Sequence, residues 1–318
     1  MRKVFGLIEF AETVICAGDS MGQTVSISLA QHAGSLTIPS LPKWDKNERN
    51  PLKKTLLGPP PARTWKRGED LISWGRPTSY PCGTSAVERV LLEFSLESEE
   101  ANANIQNIYA AFPSWLRLFE QYVTLLTTQN TNKGISGGDG PGRLEVLFEE
   151  NSGLTHIPCS APVGISLTIE GPDRLLHLDQ LREATSIASS GLRPRLEYQI
   201  LLEAYRARRN ADYRKAIIEG ATALEMCLTT RILEEFKTKD ISFGKELLNK
   251  FRMLGGRFEL IKLLGINLPE KDYEKLISTP RNEVVHRGVF PDEALANQVI
   301  AEVRELLQLF LPKLHEDT

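Results

Sequence analysis

Late in the chain, Arg281-Asn282-Glu283-Val284-Val285-His286-Arg287-Gly288 sets a cation, an amide and an imidazole close together. Histidine titrates near neutrality and suits proton transfer. A guanidinium suits charge stabilisation on the oxygens of a phosphodiester, and asparagine orients either the imidazole or the phosphate. RNA can be cleaved with these groups and no metal, because its own 2′-hydroxyl is the nucleophile. The preceding Ser278-Thr279-Pro280 predicts a helix start, with Thr279 as N-cap and Pro280 at the first helical position. Arg281 and Asn282 would then lie in the opening turn, where free N–H groups and the helix dipole favour an anion. Asn282 and His286 share a face by their spacing of four, whereas Arg281 must reach round.

An arginine, a polar residue and then a histidine on a late helix resemble the motif of the HEPN superfamily. The stretch Tyr213 to Glu225, with small residues followed by an acid, is similar to that family's second helix. The resemblance covers roughly the last 120 residues. It implies a helical bundle that dimerises, and metal-independent endoribonuclease activity in which Arg and His meet across the dimer interface. On this chain it points to Arg281, Asn282 and His286 as catalytic residues, with RNA as substrate and no cofactor or metal. Glu225 and Arg287 are assisting candidates at most. The second acid or base, missing from the motif itself, would come from the partner of a homodimer formed by the C-terminal domain. By analogy the role is that of a toxin or antiviral defence effector. Two further readings stay open: a non-catalytic RNA- or nucleotide-binding module, and a purely structural or dimerisation domain in which Arg281 pairs with Glu225.

The elements that must position this motif are helical. After Gly191-Leu192-Arg193-Pro194 the pattern is helical almost throughout. One helix is predicted from Leu196 to Arg209 and another from Asp212, as cap, to about Lys237. Ser242 is expected to cap Phe243 to Met253, followed by helices at Arg257–Leu264 and Lys271–Ile277, and Pro291 to open the last. Short loops between amphipathic helices predict an antiparallel bundle over 195–318.

Residues 1–192 read as an α+β domain of unfamiliar type, a sensor or targeting module for a protein or nucleic-acid trigger. Val4–Phe10 and Glu12–Ala17 are expected as strands, and Val25, Ile27 and Leu29 alternate with polar residues as a half-buried strand does. His32-Ala33-Gly34 is expected to turn into Leu36–Ile38. Strands are also expected at Val87–Leu96, Arg143–Glu149 and Val163–Glu170, and helices from Asn102 to about Thr128, restarting at Pro113 with Ser114 as cap, and from Asp179 to Ser189. His177 reads as structural, and His156 near Cys159 lacks the partners of a metal site. The glycine-rich stretch after Thr128 lacks the Lys-Ser/Thr of a phosphate loop. A Pro-rich excursion over 39–85 places Trp65 and Trp74 among Lys66, Arg67 and Arg76. Such a mixture stacks on bases when exposed, and serves as scaffold when its tryptophans are buried.

Composition sets outer bounds. Hydrophobic residues make up 41% of the 318 and charged residues 25%, as in ordinary globular proteins, and the net charge of -3 argues against a generally basic nucleic-acid coat. Any RNA contact must be local. Cys16, Cys82, Cys159 and Cys227 are too scattered for a zinc knuckle or a disulfide framework, which suits a reducing cytoplasm. Glu9 and Glu12 interrupt the apolar run of the first residues, against an export signal, and no apolar stretch is long enough to span a membrane.

Overall fold

A computed structural model describes residues 2–41, 57–58, 66–67, 70–71, 73–77, 84–97, 100–129, 143–150, 153–156, 175–237 and 240–316. It divides into two compact units, Met1–Leu192 and Arg193–Thr318. The first contains an antiparallel sheet with two helices, and the second is helical.

In the first unit, β1 (Arg2–Cys16), β2 (Thr24–Leu29), β3 (His32–Thr37), β6 (Gly75–Pro77), β7 (Ser85–Leu96), β8 (Arg143–Glu150) and β9 (Gly153–His156) form one sheet in the order β2-β3-β7-β1-β8-β9. β6 pairs with β7 off this path, and β4 (Lys66–Arg67) with β5 (Asp70–Leu71) forms a separate two-residue ladder. The two strands expected at the start are one. β1 runs unbroken against β7, and its register shifts between Glu9 and Val14, the bulge absorbing the polar interruption. The alternation in β2 buries Val25, Ile27 and Leu29. The turn into β3 begins two residues earlier than expected: Ala30 and Gln31 take φ of 50° and 67°, and His32 already pairs with Leu29. Two consecutive left-handed residues match the twist of the strands they join.

Helix α1 (Ala101–Thr127) does not restart at Pro113 but passes through it. Pro113 is exposed, while Phe112, Trp115, Leu116 and Phe119 on the opposite side are buried. Trp115 stacks on Phe119 at 5.3 Å, and Phe119 on Phe10 of β1 at 6.3 Å. Packing of this stripe on the sheet outweighs the one backbone bond that proline removes. α2 (Leu178–Ser189) follows, with His177 before it bonded to Asp19 at 3.2 Å and exposed, a surface tie as expected. Gly191, at φ 67°, closes the helix.

In the second unit, α3 (Leu196–Arg209), α4 (Tyr213–Phe236), α5 (Ile241–Lys250), α6 (Leu254–Leu263), α7 (Thr279–His286) and α8 (Glu293–Phe310) build the bundle. α4 is its centre and touches α3, α5, α6, α7 and α8. Ala216, Ile217, Ala223, Leu224, Cys227, Leu228 and Ile232 of α4 are fully buried. Aspartates cap α4, α5 and α8: Asp212 accepts from the Lys215 N–H, Asp240 from those of Ser242 and Phe243, and Asp292 from that of Leu295. Asp240 therefore does the work expected of Ser242, and α5 begins and ends earlier than its apolar pattern suggests. Pro291 precedes the last cap rather than opening the helix. Tyr198 of α3 donates to the Leu311 carbonyl at 2.6 Å, and burial pushes its phenol pKa up. Burial likewise raises the Cys16 thiol to about 12 and raises that of Cys227, so neither is a ready nucleophile. Among the described residues no helix is long and apolar enough to cross a membrane.

Candidate functional site

Arg281, Asn282 and His286 line one cleft of about 940 Å³ within the helical unit, with Glu225 of α4 and the start of α6 on its other walls. The helix that carries them does not begin where its sequence suggests. The helical run starts at Tyr273, where the Asp272 side chain accepts from the Lys275 N–H at 3.1 Å. A π-helical turn, Glu274–Ser278, leads directly into α7, and the Thr279 N–H bonds to the Glu274 carbonyl five residues back. Ser278 and Thr279 are themselves helical, at φ -67° and -63°.

This overturns Thr279 as N-cap and the free helix N-terminus at Arg281. The physical reason is Pro280, which has no N–H and whose ring collides with the carbonyl four residues before it in a regular α-helix. A π turn widens the spiral just ahead of the ring, so the helix continues where it would otherwise stop. Pro280 is buried in that setting. Arg281 therefore lies inside a helix, and the dipole of a helix start contributes nothing to its anion affinity.

The far end of α7 behaves as the sequence suggests. Gly288 adopts φ 66° after His286 and Arg287. The Arg287 and Val289 N–H groups both return to the Glu283 carbonyl, at 3.0 and 3.3 Å. His286 thus occupies the last helical residue and is exposed, with no hydrogen-bond partner among the described residues. Arg281 donates from Nη1 to Asn282 Oδ1 at 3.0 Å, so in this structure Asn282 steadies the guanidinium rather than the imidazole. Arg287 sits 3.7 Å from Glu283 across one turn, a surface pair of small worth. From α4, Arg214 reaches the Val284 carbonyl at 3.4 Å and lies 5.1 Å from the centre of the Phe290 ring.

Glu225 does not pair with Arg281. Its partner is Arg257 of α6, 3.1 Å away, which also donates to the Glu225 carbonyl at 2.6 Å and to the Thr229 hydroxyl. Burial lowers the Arg257 pKa, and the adjacent Glu225 raises it in part. The pair pins α6 to α4 and leaves Arg281 without a carboxylate partner among the described residues. Lys271 ties the run's approach to α8 by bonds to Glu305 at 2.8 Å and Glu302 at 2.9 Å, which raise its pKa.

Arg257→Ala is expected to cost roughly 2 kcal/mol, because it strands the partly buried Glu225 carboxylate and removes the bonds that hold α6 to α4. Urea unfolding followed by circular dichroism checks this. An unchanged midpoint would show that the pair holds nothing together.

Sequence reasoning missed Arg252, Arg257, Lys262 and Ser278, which also belong to the cleft or its support. Arg257 lies 32 residues from Glu225, and no local pattern signals that pairing. Of the aromatic and basic excursion, Trp74 is only 2% exposed and offers no face to a base, whereas Arg76 is exposed. Lys53, Trp65, the glycine-rich stretch at 130–142, the strand expected at Val163–Glu170, Cys82 and Cys159 lie outside the described residues. Among the described residues, no three His, Cys, Asp or Glu side chains converge as metal ligands. No protein-family model, curated protein or solved structure matches the chain.

Proposed function

We propose that the helical unit is a metal-independent endoribonuclease of HEPN type, working as a homodimer and regulated by the N-terminal α+β unit. One observation carries the reading. Arg281, Asn282 and His286 open on a single cleft, with the guanidinium free of carboxylates among the described residues and the imidazole exposed. In the reaction the 2′-oxygen bonds to phosphorus and the bond to the 5′-oxygen breaks. One imidazole takes the 2′-hydroxyl proton, and a second donor protonates the departing 5′-oxygen. Arg281 stabilises the negative charge gathering on the non-bridging oxygens.

A single chain brings one imidazole to the cleft, and the partner's His286 is the second donor. Val285, Val289 and Phe290 leave apolar surface beside the motif, at 40%, 41% and 82% exposure, and this suits contact with a second copy. The biological setting, a toxin or an antiviral defence effector, rests on the family resemblance alone.

The test is incubation of purified protein with RNA in excess chelator. Cleavage products ending in 2′,3′-cyclic phosphate are expected. Activity that disappears with the chelator and returns with a divalent cation would refute the mechanism. Light scattering checks the dimer: a protein that is monomeric at tens of micromolar and still active would remove the shared-imidazole scheme.

A further inference from the structure

The start of α6 stands across the same cleft from Arg281, and it lacks the aspartate cap of α4, α5 and α8. Met253 at the N-cap supplies no side-chain acceptor, and the first turn carries no acid. The first intrahelical bond is that of the Arg257 N–H to the Met253 carbonyl, so the N–H groups of Leu254, Gly255 and Gly256 have no acceptor within the helix. Gly255 and Gly256 line the cleft with no side chain to cover these donors.

A second, independent feature lies close by. Ser278 is 2% exposed and lines the cleft, yet its hydroxyl has no hydrogen-bond partner among the described residues. Helical hydroxyls elsewhere in the chain donate back to the carbonyl four residues earlier, as Thr222 does to Ile218 and Thr229 to Glu225. Ser278 forgoes that bond and keeps a buried donor unused, at a cost to folding.

The third feature is Glu274. A side chain at Gly255 would lie 2.7 Å from its Oε2, so the carboxylate rests against the start of α6 and has no ion-pair partner among the described residues. An unpaired acid at the positive end of a helix takes the position an external anion would fill.

We infer that the α6 start, Ser278 and the exposed Arg252 form a phosphate subsite distinct from the Arg281–His286 site, with the Glu274 carboxylate as its resident placeholder. An incoming phosphate displaces the exposed Glu274 side chain and takes up the free N–H groups and the Ser278 hydroxyl. The subsite deepens the nuclease reading, for which the phosphate is the one flanking the scissile bond. The recognition chemistry is equally that of a free nucleotide, and the experiment separates the two.

Calorimetric titration of the full chain uses three probes: 2′-deoxy dithymidylate bearing a 5′-phosphate, the same compound without it, and thymidine 5′-monophosphate. None has the attacking hydroxyl, so binding is read apart from cleavage. The 5′-phosphate is expected to tighten the dinucleotide roughly tenfold at low salt. Ser278→Ala should abolish most of that gain without lowering the melting temperature, because it removes an unsatisfied hydroxyl. Glu274→Gln should enlarge the gain several-fold, since a competing charge is gone. Monophosphate that binds as tightly as the phosphorylated dinucleotide, with the same response to both variants, assigns the subsite to free nucleotides. A 5′-phosphate that adds nothing in the wild type, or a gain that neither variant changes, overturns the subsite. Intact binding differences in a protein that cleaves no RNA would leave the subsite standing and remove the nuclease assignment.

Discussion

His286→Ala and Arg281→Ala are each expected to lower RNA cleavage by about 10²–10⁴-fold while the helical unit stays folded. The two act on different parts of the reaction. His286 holds or moves a proton and is exposed at the end of α7, so its removal disturbs no packing. Among the described residues the Arg281 side chain bonds only to its neighbour Asn282, so its loss leaves no buried charge behind. Arg281→Lys should recover little, because a point charge does not replace a planar fork on two phosphate oxygens. Asn282→Ala should have a smaller effect, freeing the guanidinium without removing it. The measurement is initial cleavage rate on a short RNA in chelator, with circular dichroism as the check on folding. Wild-type rates from folded His286→Ala protein would end the nuclease assignment, whatever the fate of the other variant.

The second large effect is on stability. Leu228 lies within α4 and is fully buried, and α4 touches α3, α5, α6, α7 and α8. Leu228→Ala should cost about 3–4 kcal/mol, the lost transfer energy plus the cavity left behind. That is a large share of the roughly 5–15 kcal/mol that holds a domain folded. Leu263→Ala, at a side chain 69% exposed, should change stability by less than about 0.5 kcal/mol. The sequence offers a clean readout, because all four tryptophans, at 44, 65, 74 and 115, precede the helical unit. Leu228→Ala should move the circular-dichroism transition to lower urea and leave the tryptophan-fluorescence transition in place. Coincident shifts in both would show that the two units unfold together.

What the sequence alone determined were features set within a few residues. The alternation of Val25, Ile27 and Leu29 was enough to make a half-buried strand, and the periodic apolar residues from Leu196 onward were enough for helices. Asp212 caps α4 because a carboxylate three residues before a free N–H needs no help from elsewhere. Asn282 and His286 share the cleft because a spacing of four on any helix puts them on one face.

Only the tertiary structure decided the rest. Two of the prolines read as helix boundaries, Pro113 and Pro280, lie inside helical runs. The stacked face of α1 carries the chain through Pro113, and a π turn accommodates the buried Pro280. Trp74 left the set of base-stacking residues because the fold buries it. Glu225 took Arg257 rather than Arg281, a choice made by where α6 crosses α4 and by nothing in either segment. Propensity acts over one or two turns, whereas burial and ion pairing join residues far apart in the chain, and at these positions the long-range terms were the larger.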